Sequence, residues 1–218
     1  LSKEKIVSKL AIALAEKREA GAKSLKAGVE KELKELHMNG VRFGVQFSYP
    51  QDPEGFVEYR KEKLKPTPLG LGTLEFLFSP NPGEDLRPLA KIASGGELSR
   101  IMLALKSILN EQDTIPVMIF DEVDAGIGGR VAEKVGDKLK KVAETKQVFC
   151  ITHLPQIAGM ASSHYRVEKH VQGKRTRSGI RQLEFEERVE EVARMSSGEK
   201  ITDASLKHAR ELILGAGL

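Results

Sequence analysis

The sequence predicts an α/β fold in which a parallel strand–helix–strand core follows one long polar helix. Three observations carry this. Val117–Phe120 is a run of four apolar residues that ends in Asp121-Glu122, the pattern of a strand buried in a parallel sheet whose carboxyl end faces a ligand. Residues 127–144 then read as a helix and residues 147–152 as a second apolar strand, an order that gives a right-handed βαβ unit. Ahead of both, residues 1–37 carry apolar side chains at spacings of three and four between Lys, Glu and Arg.

In chain order, the first helix has Val7, Leu10 and Leu14 on one stretch and Leu25, Val29, Leu33 and Leu36 on another, with a polar or small middle that holds Gly21. Each helical glycine costs roughly 1 kcal/mol relative to alanine. The expected state is the end of an antiparallel coiled coil whose partner strand lies outside this chain. His37, just before Asn39-Gly40, ends the helix in a capping or solvent role. Residues 41–48 alternate like a half-buried strand, and residues 73–78 read as its partner. Between them, residues 49–70 are rich in Pro, Gly and charge and read as an irregular surface excursion. A turn at Asn81-Pro82-Gly83-Glu84 leads toward Ser94-Gly95-Gly96, which opens a helix striped by Leu98, Ile101, Met102, Leu105, Ile108 and Leu109. After the βαβ unit, residues 164–171 and 179–185 read as an edge hairpin with the basic turn Gly173-Lys174-Arg175, and helices near 186–195 and 203–214 close the chain.

The 218 residues are 40% hydrophobic and 30% charged, with a net charge of +4. That balance permits nucleic-acid contact without arguing for it. Cys150 is the single cysteine, so no intrachain disulfide forms and a reducing cytosol is the expected compartment. It sits in an apolar run and reads as a buried structural thiol. No run reaches the ~18 apolar residues of a membrane span, and no secretory signal is expected. A chain entering directly into helix at Leu1 reads as a piece of a longer protein.

The chemistry concentrates at two places. Adjacent acids at a strand's carboxyl end can divide two tasks, Asp121 holding Mg²⁺ and Glu122 orienting or deprotonating an attacking water. His153 follows the next strand and lies at the same edge, where it can meet a phosphate oxygen or position water. Ser94-Gly95-Gly96 at a helix N-terminus makes an anion-facing turn, which by itself serves equally as a plain N-cap. The glycine-rich run after Asp124 permits close approach of a second subunit. No phosphate-cradling Gly-x-x-x-x-Gly-Lys-Ser/Thr occurs: the Gly173-Lys174 pair is followed by Arg175, with Glu168 where the first glycine belongs. His164, His170 and His208 read as surface residues. Lys174, Arg175, Arg177 and Arg181 form a basic run that is open to phosphate contact or to simple solvation.

The ordered set Ser94-Gly95-Gly96-Glu97, Asp121-Glu122, Asp124 and His153 resembles the signature motif, Walker B, D-loop and switch histidine of ATP-binding-cassette (ABC) ATPases. Within that family it resembles the SMC-like ATPases of bacterial DNA double-strand-break repair. The residues that carry the closer likeness are Asn81-Pro82-Gly83-Glu84, Ala93 with Ser94-Gly95-Gly96-Glu97-Leu98-Ser99-Arg100, the stretch from Ile119 to Gly129, and Ile151-Thr152-His153-Leu154-Pro155-Gln156. The resemblance implies an α/β fold that is the C-terminal lobe of an ABC-type (P-loop NTPase) head, with residues 1–37 as the end of a coiled-coil arm and residues 38–218 as the lobe. It implies ATP and Mg²⁺ as substrate and cofactor, with Glu122 and His153 catalytic and Asp121 the metal ligand. Ser94, Gly95, Gly96 and Glu97 would act in trans on a neighbour's ATP, with Asp124 at the dimer seam. The implied partners are an N-terminal Walker A half of the same protein, a second identical head, and DNA, with no membrane and a cytoplasmic, nucleoid-associated location. Three other readings stand beside it: a chromosome-organising SMC-like head, a transporter nucleotide-binding domain, and an interaction fragment with idle acids.

Overall fold

The computed structural model describes residues 2–91, 94–172, 175–198 and 200–215, and of residues 170–172, 175 and 176 only the backbone. Ala93 of the signature run and Gly173 and Lys174 of the basic turn therefore lie outside the described residues. The chain divides into two units, residues 1–94 and 95–218.

The first unit opens with α1 (Lys3–Glu35). Its end is a left-handed cap at His37, φ +56°, with Met38 N–H donating to the Leu33 carbonyl and His37 N–H to the Lys34 carbonyl. This is the Schellman pattern, here without the usual glycine. Val29, Leu33 and Leu36 are fully buried, as are Phe43 and Phe78 of the strand pair β1 (Arg42–Ser48) and β4 (Thr73–Ser79), which run antiparallel with Phe43 opposite Phe78, and α1 packs on β1. Each such side chain contributes about 1.5–3 kcal/mol on burial. At the other end of α1 the expected seam is open to solvent, with Val7 and Leu14 exposed and Leu10 65% exposed.

The segment 49–70 corrects the sequence expectation: it is an ordered ribbon. Strands β2 (Val57–Tyr59) and β3 (Glu62–Leu64) pair antiparallel, and Val57, Tyr59, Leu64 and Leu71 bury against Ala11 and Ala15 of α1. Arg18 donates to the Leu69 carbonyl at 2.7 Å, and Glu19 accepts from the Tyr49 hydroxyl at 2.9 Å and from Arg60 at 2.5 Å. The reason the segment reads as irregular is its turn. Arg60 and Lys61 adopt φ +56° and +68°, the backbone of a type I′ hairpin turn usually built from Asn-Gly.

In the second unit, α2 (Gly95–Leu109) and α3 (Gly129–Ala143) pack together, and Ile101, Leu103 and Ala104 of the one and Ala132, Val135 and Val142 of the other are fully buried. Strands β6 (Val117–Phe120) and β7 (Gln147–Cys150) pair in parallel, as the βαβ order requires, and β5 is the two-residue strand Arg87–Pro88 of the first unit. A sheet buried on both faces is not what this chain forms by itself. Met118 and Phe120 are buried, whereas Val117, Ile119 (69%), Phe149 and Ile151 (59%) lie exposed on the alternate positions. A short helix α4 (Pro155–Gly159) follows, then the hairpin β8 (Tyr165–Gln172) and β9 (Arg175–Gln182), and helices α5 (Phe185–Ser197) and α6 (Asp203–Gly215). Ala158, Val189, Val192, Ala193, Ala209 and Ile213 form the core joining α4, α5 and α6.

Candidate functional site

Strand β6 delivers Asp121 and Glu122 to its carboxyl end, both exposed. Glu122 turns the chain sharply. Its φ of +57° is left-handed, a conformation that costs an L-residue roughly 1–2 kcal/mol. Strain of this kind gathers at functional sites because the surrounding structure must hold it. Here Ala125 N–H donates to the Glu122 carbonyl at 3.0 Å and Ile127 N–H to the Asp124 carbonyl at 3.3 Å, so the Glu122–Ile127 loop folds tightly on itself.

The N-terminus of α2 meets this loop within the same unit. A Cβ added to Gly95 would stand 2.1 Å from Oε2 of Glu122. One added to Gly96 would stand 2.7 Å from the Ala125 Cβ and 3.1 Å from the Glu122 carbonyl oxygen. The two glycines are thus the clearance that lets the acidic loop approach the positive end of a 15-residue helix. One turn further on, the same helix face fastens the loop. Ser99 Oγ donates to the Asp121 carbonyl at 2.6 Å, and Arg100 Nη1 donates to the Ala125 carbonyl at 2.8 Å and to the Val123 carbonyl at 3.3 Å. Arg100 is buried, and burial pushes its guanidinium below the usual range while the charges of Glu97 and Asp124 pull it back up.

Asp124 ties in the third element. It is 3% exposed, and its Oδ2 accepts from the Thr152 hydroxyl at 2.5 Å, from the His153 N–H at 2.9 Å, and lies 3.0 Å from His153 Nδ1. With Nδ1 facing a carboxylate, the Nε2 edge of this ring, whose side chain is 73% exposed, is the one left for an external partner. Thr152 also accepts from the Leu154 N–H at 3.0 Å, which fixes the turn into α4. Cys150, at the end of β7, is half-buried, and burial together with Asp124 and Asp121 pushes its thiol up to about 12, so it is held protonated and inert.

The structure therefore gathers Gly95, Gly96, Asp121, Glu122, Asp124 and His153 into one cluster. Ser94 immediately precedes α2 and is exposed, and Glu97 is half-buried on its first turn. Ser99, Arg100 and Thr152 stand within the motifs quoted from the sequence, but no role was assigned to them there. The first two were signalled by spacing, since residues four apart share a helix face and Ser99 and Arg100 lie four beyond Gly95 and Gly96. Among the described residues no group of three His, Cys, Asp or Glu side chains is placed to hold a metal ion. An exposed Asp121 nevertheless suits Mg²⁺, which takes one or two carboxylates and completes its shell with phosphate oxygens and water.

No protein-family model matches the chain. It is similar to the DNA repair protein RecN of Treponema pallidum, 45% identical over 201 residues, and to that of Halalkalibacterium halodurans, 41% identical over 201 residues; each match covers 92% of this chain and 34% of the relative. RecN of Streptomyces coelicolor is 43% identical over 204 residues, 94% of this chain and 36% of that protein. The chain thus spans about a third of the length of the curated relatives it matches, in their C-terminal portion. Among solved structures, the Smc head domain with a coiled coil and joint from Pyrococcus yayanosii superposes with a TM-score of 0.52 at 19% identity, over 84% of this chain and 30% of that one. The fold is the α/β fold of ABC-type SMC head domains.

Proposed function

From the correspondence of this chain to the C-terminal portion of the RecN DNA repair proteins, we propose that it is one half of an SMC-like ATPase head that acts in double-strand-break repair. The observation that carries the proposal is the arrangement at the strand ends: Glu122 on its left-handed turn, with Asp124 holding His153. In this reading Glu122 orients or deprotonates the water that attacks the γ-phosphate, and its fixed left-handed backbone sets where the carboxylate can reach. His153 offers Nε2 to a γ-phosphate oxygen while Asp124 fixes the ring. Mg²⁺, bound through Asp121, supplies charge neutralisation of the phosphates. Ser94, Gly95, Gly96 and Glu97 present the end of α2 to the ATP of a second head, and Asp124 stands at the seam between the two.

Two further features support an incomplete head. The sequence has no phosphate-cradling loop. The open face of the β6–β7 pair, formed by Val117, Ile119, Phe149 and Ile151, is the apolar surface that a buried parallel sheet would cover with more protein. Residues 1–37 serve as the end of an arm and residues 38–218 as the lobe, working in the cytoplasm on nucleoid DNA. The test is ATP-dependent dimerisation of the chain combined with its N-terminal Walker A half. Glu122→Gln should accumulate an ATP-bound dimer in light scattering. Equal dimer populations with and without ATP, in both forms, would refute the reading.

A further inference from the structure

Two side chains of α2 grip the turn that carries Glu122, and the proposed chemistry gives neither of them a task. A residue's φ and ψ are set by the two peptide planes that flank it. At Glu122 the first plane is held through the Asp121 carbonyl, which accepts from Ser99 Oγ at 2.6 Å. The second is held through the Glu122 carbonyl, which accepts from the Ala125 N–H at 3.0 Å. Arg100 ties down the segment that supplies this N–H: its Nη1 donates to the Val123 carbonyl at 3.3 Å and to the Ala125 carbonyl at 2.8 Å. The left-handed φ of +57° is thus clamped from both sides, and α2 supplies the hold on each.

Packing alone does not account for Arg100. It is 8% exposed, its hydrogen bonds go to carbonyls, and its Nε is buried with no hydrogen-bond partner among the described residues. Burying a cation without a bonded anion costs stability. The charges of Glu97 and Asp124 offset only part of this, since burial still leaves the guanidinium below its usual range. What Arg100 supplies is a pair of charge-assisted bonds, roughly twice as strong as neutral ones, on a backbone that otherwise favours leaving the left-handed region.

We propose that Ser99 and Arg100 are positioning residues that seat the Glu122 carboxylate by fixing its backbone to α2, so that the acid follows the helix rather than strand β6. The inference rests on the reading of Glu122 as the group that acts on the attacking water. Gly95 and Gly96, one turn earlier, face the same loop, so a shift of α2 carries the loop carbonyls and the carboxylate with it. Whatever binds at the start of α2 then sets the alignment of Glu122, and in the reading above that is the nucleotide of a second head. A misplacement of about 1 Å is enough to cost about 100-fold in rate.

The test measures turnover and ATP-dependent dimerisation of the chain combined with its N-terminal Walker A half, and amide hydrogen exchange of the 218-residue chain alone. Arg100→Met should lower kcat about 100-fold, and Ser99→Ala should lower it less, with KM for ATP and the dimer population unchanged. Ser99→Thr, which keeps the hydroxyl, should restore the rate, and Arg100→Lys, which keeps a charged donor, should recover part of it. In the chain alone, Arg100→Met should speed exchange of the Ala125 and Ile127 amides about tenfold and leave those of β7 unchanged. The inference is overturned if Arg100→Met keeps its kcat, if kcat and dimerisation fall together, or if the loop amides exchange as in the wild type. If Arg100→Met does not fold, Ser99→Ala and Ser99→Thr carry the same comparison. If the wild-type assembly turns over no ATP, the ATPase reading fails, and the exchange of the loop amides still decides whether α2 holds the turn.

Discussion

Replacing Glu122 by glycine should stabilise the fold relative to replacing it by alanine, even though both changes remove the same carboxylate. At φ +57° a residue with a Cβ bears roughly 1–2 kcal/mol that glycine does not. Glycine in turn loses more chain entropy on folding, about 0.5–1 kcal/mol relative to alanine. The difference leaves Glu122→Gly more stable than Glu122→Ala by about 0.5–1 kcal/mol. For a chain of this length, 1 kcal/mol moves Tm by about 2–4 °C. Calorimetry on the two variants, supported by urea midpoints, reads the difference directly. If Glu122→Ala melts at or above Glu122→Gly, the backbone at this position is not held left-handed and the argument for a strained catalytic turn fails. Both variants should lose ATP turnover in the assembled head, so the glycine form gains stability while losing chemistry.

The two signature glycines should respond differently to alanine. At Gly95 the obstruction is the far end of the Glu122 side chain, which can swing away; Gly95→Ala should keep its Tm and lose ATP turnover. At Gly96 it is the Ala125 Cβ and the Glu122 backbone, so Gly96→Ala should cost about 1–3 kcal/mol in urea unfolding. In the ribbon, burial and then the hydrogen bond to Glu19 push the Tyr49 phenol up to about 12. Its folded value lies above the ordinary ~10, so the contribution to stability is whole below about pH 10 and is lost as pH rises toward about 12. Glu19→Ala should bring the Tyr49 ultraviolet titration down toward 10 and flatten that alkaline loss. An unchanged titration would remove Glu19 from the account.

What the sequence revealed and what it concealed divide along the range of the interactions. The acidic strand end, the βαβ order and the helix opened by Gly95 were visible because apolar periodicity and turn chemistry are local. The ribbon at 49–70 was concealed because Val57, Tyr59 and Leu64 find their cover on Ala11 and Ala15, far away in sequence, and because Arg60 and Lys61 make a turn that glycine normally marks. The exposed face of β6 was concealed for a different reason. An apolar run reports that a strand is built to be covered, not which chain supplies the cover, and in this chain Ile119 and Ile151 have none. The positions of Asp121, Glu122 and His153 just beyond the strand ends were legible in the apolar runs before them. The bonds that fix them, from Ser99, Arg100 and Asp124, depend on which loop carbonyls turn inward, and only the folded backbone specifies that.

The measurement that bears most directly on the central claim is steady-state ATP hydrolysis by the chain alone and by the chain combined with its N-terminal Walker A half. The chain alone should show almost no turnover, the combination clear turnover, and Glu122→Gln should abolish that turnover. Robust hydrolysis by the isolated 218 residues, or an unaltered rate in the Glu122→Gln combination, would contradict it.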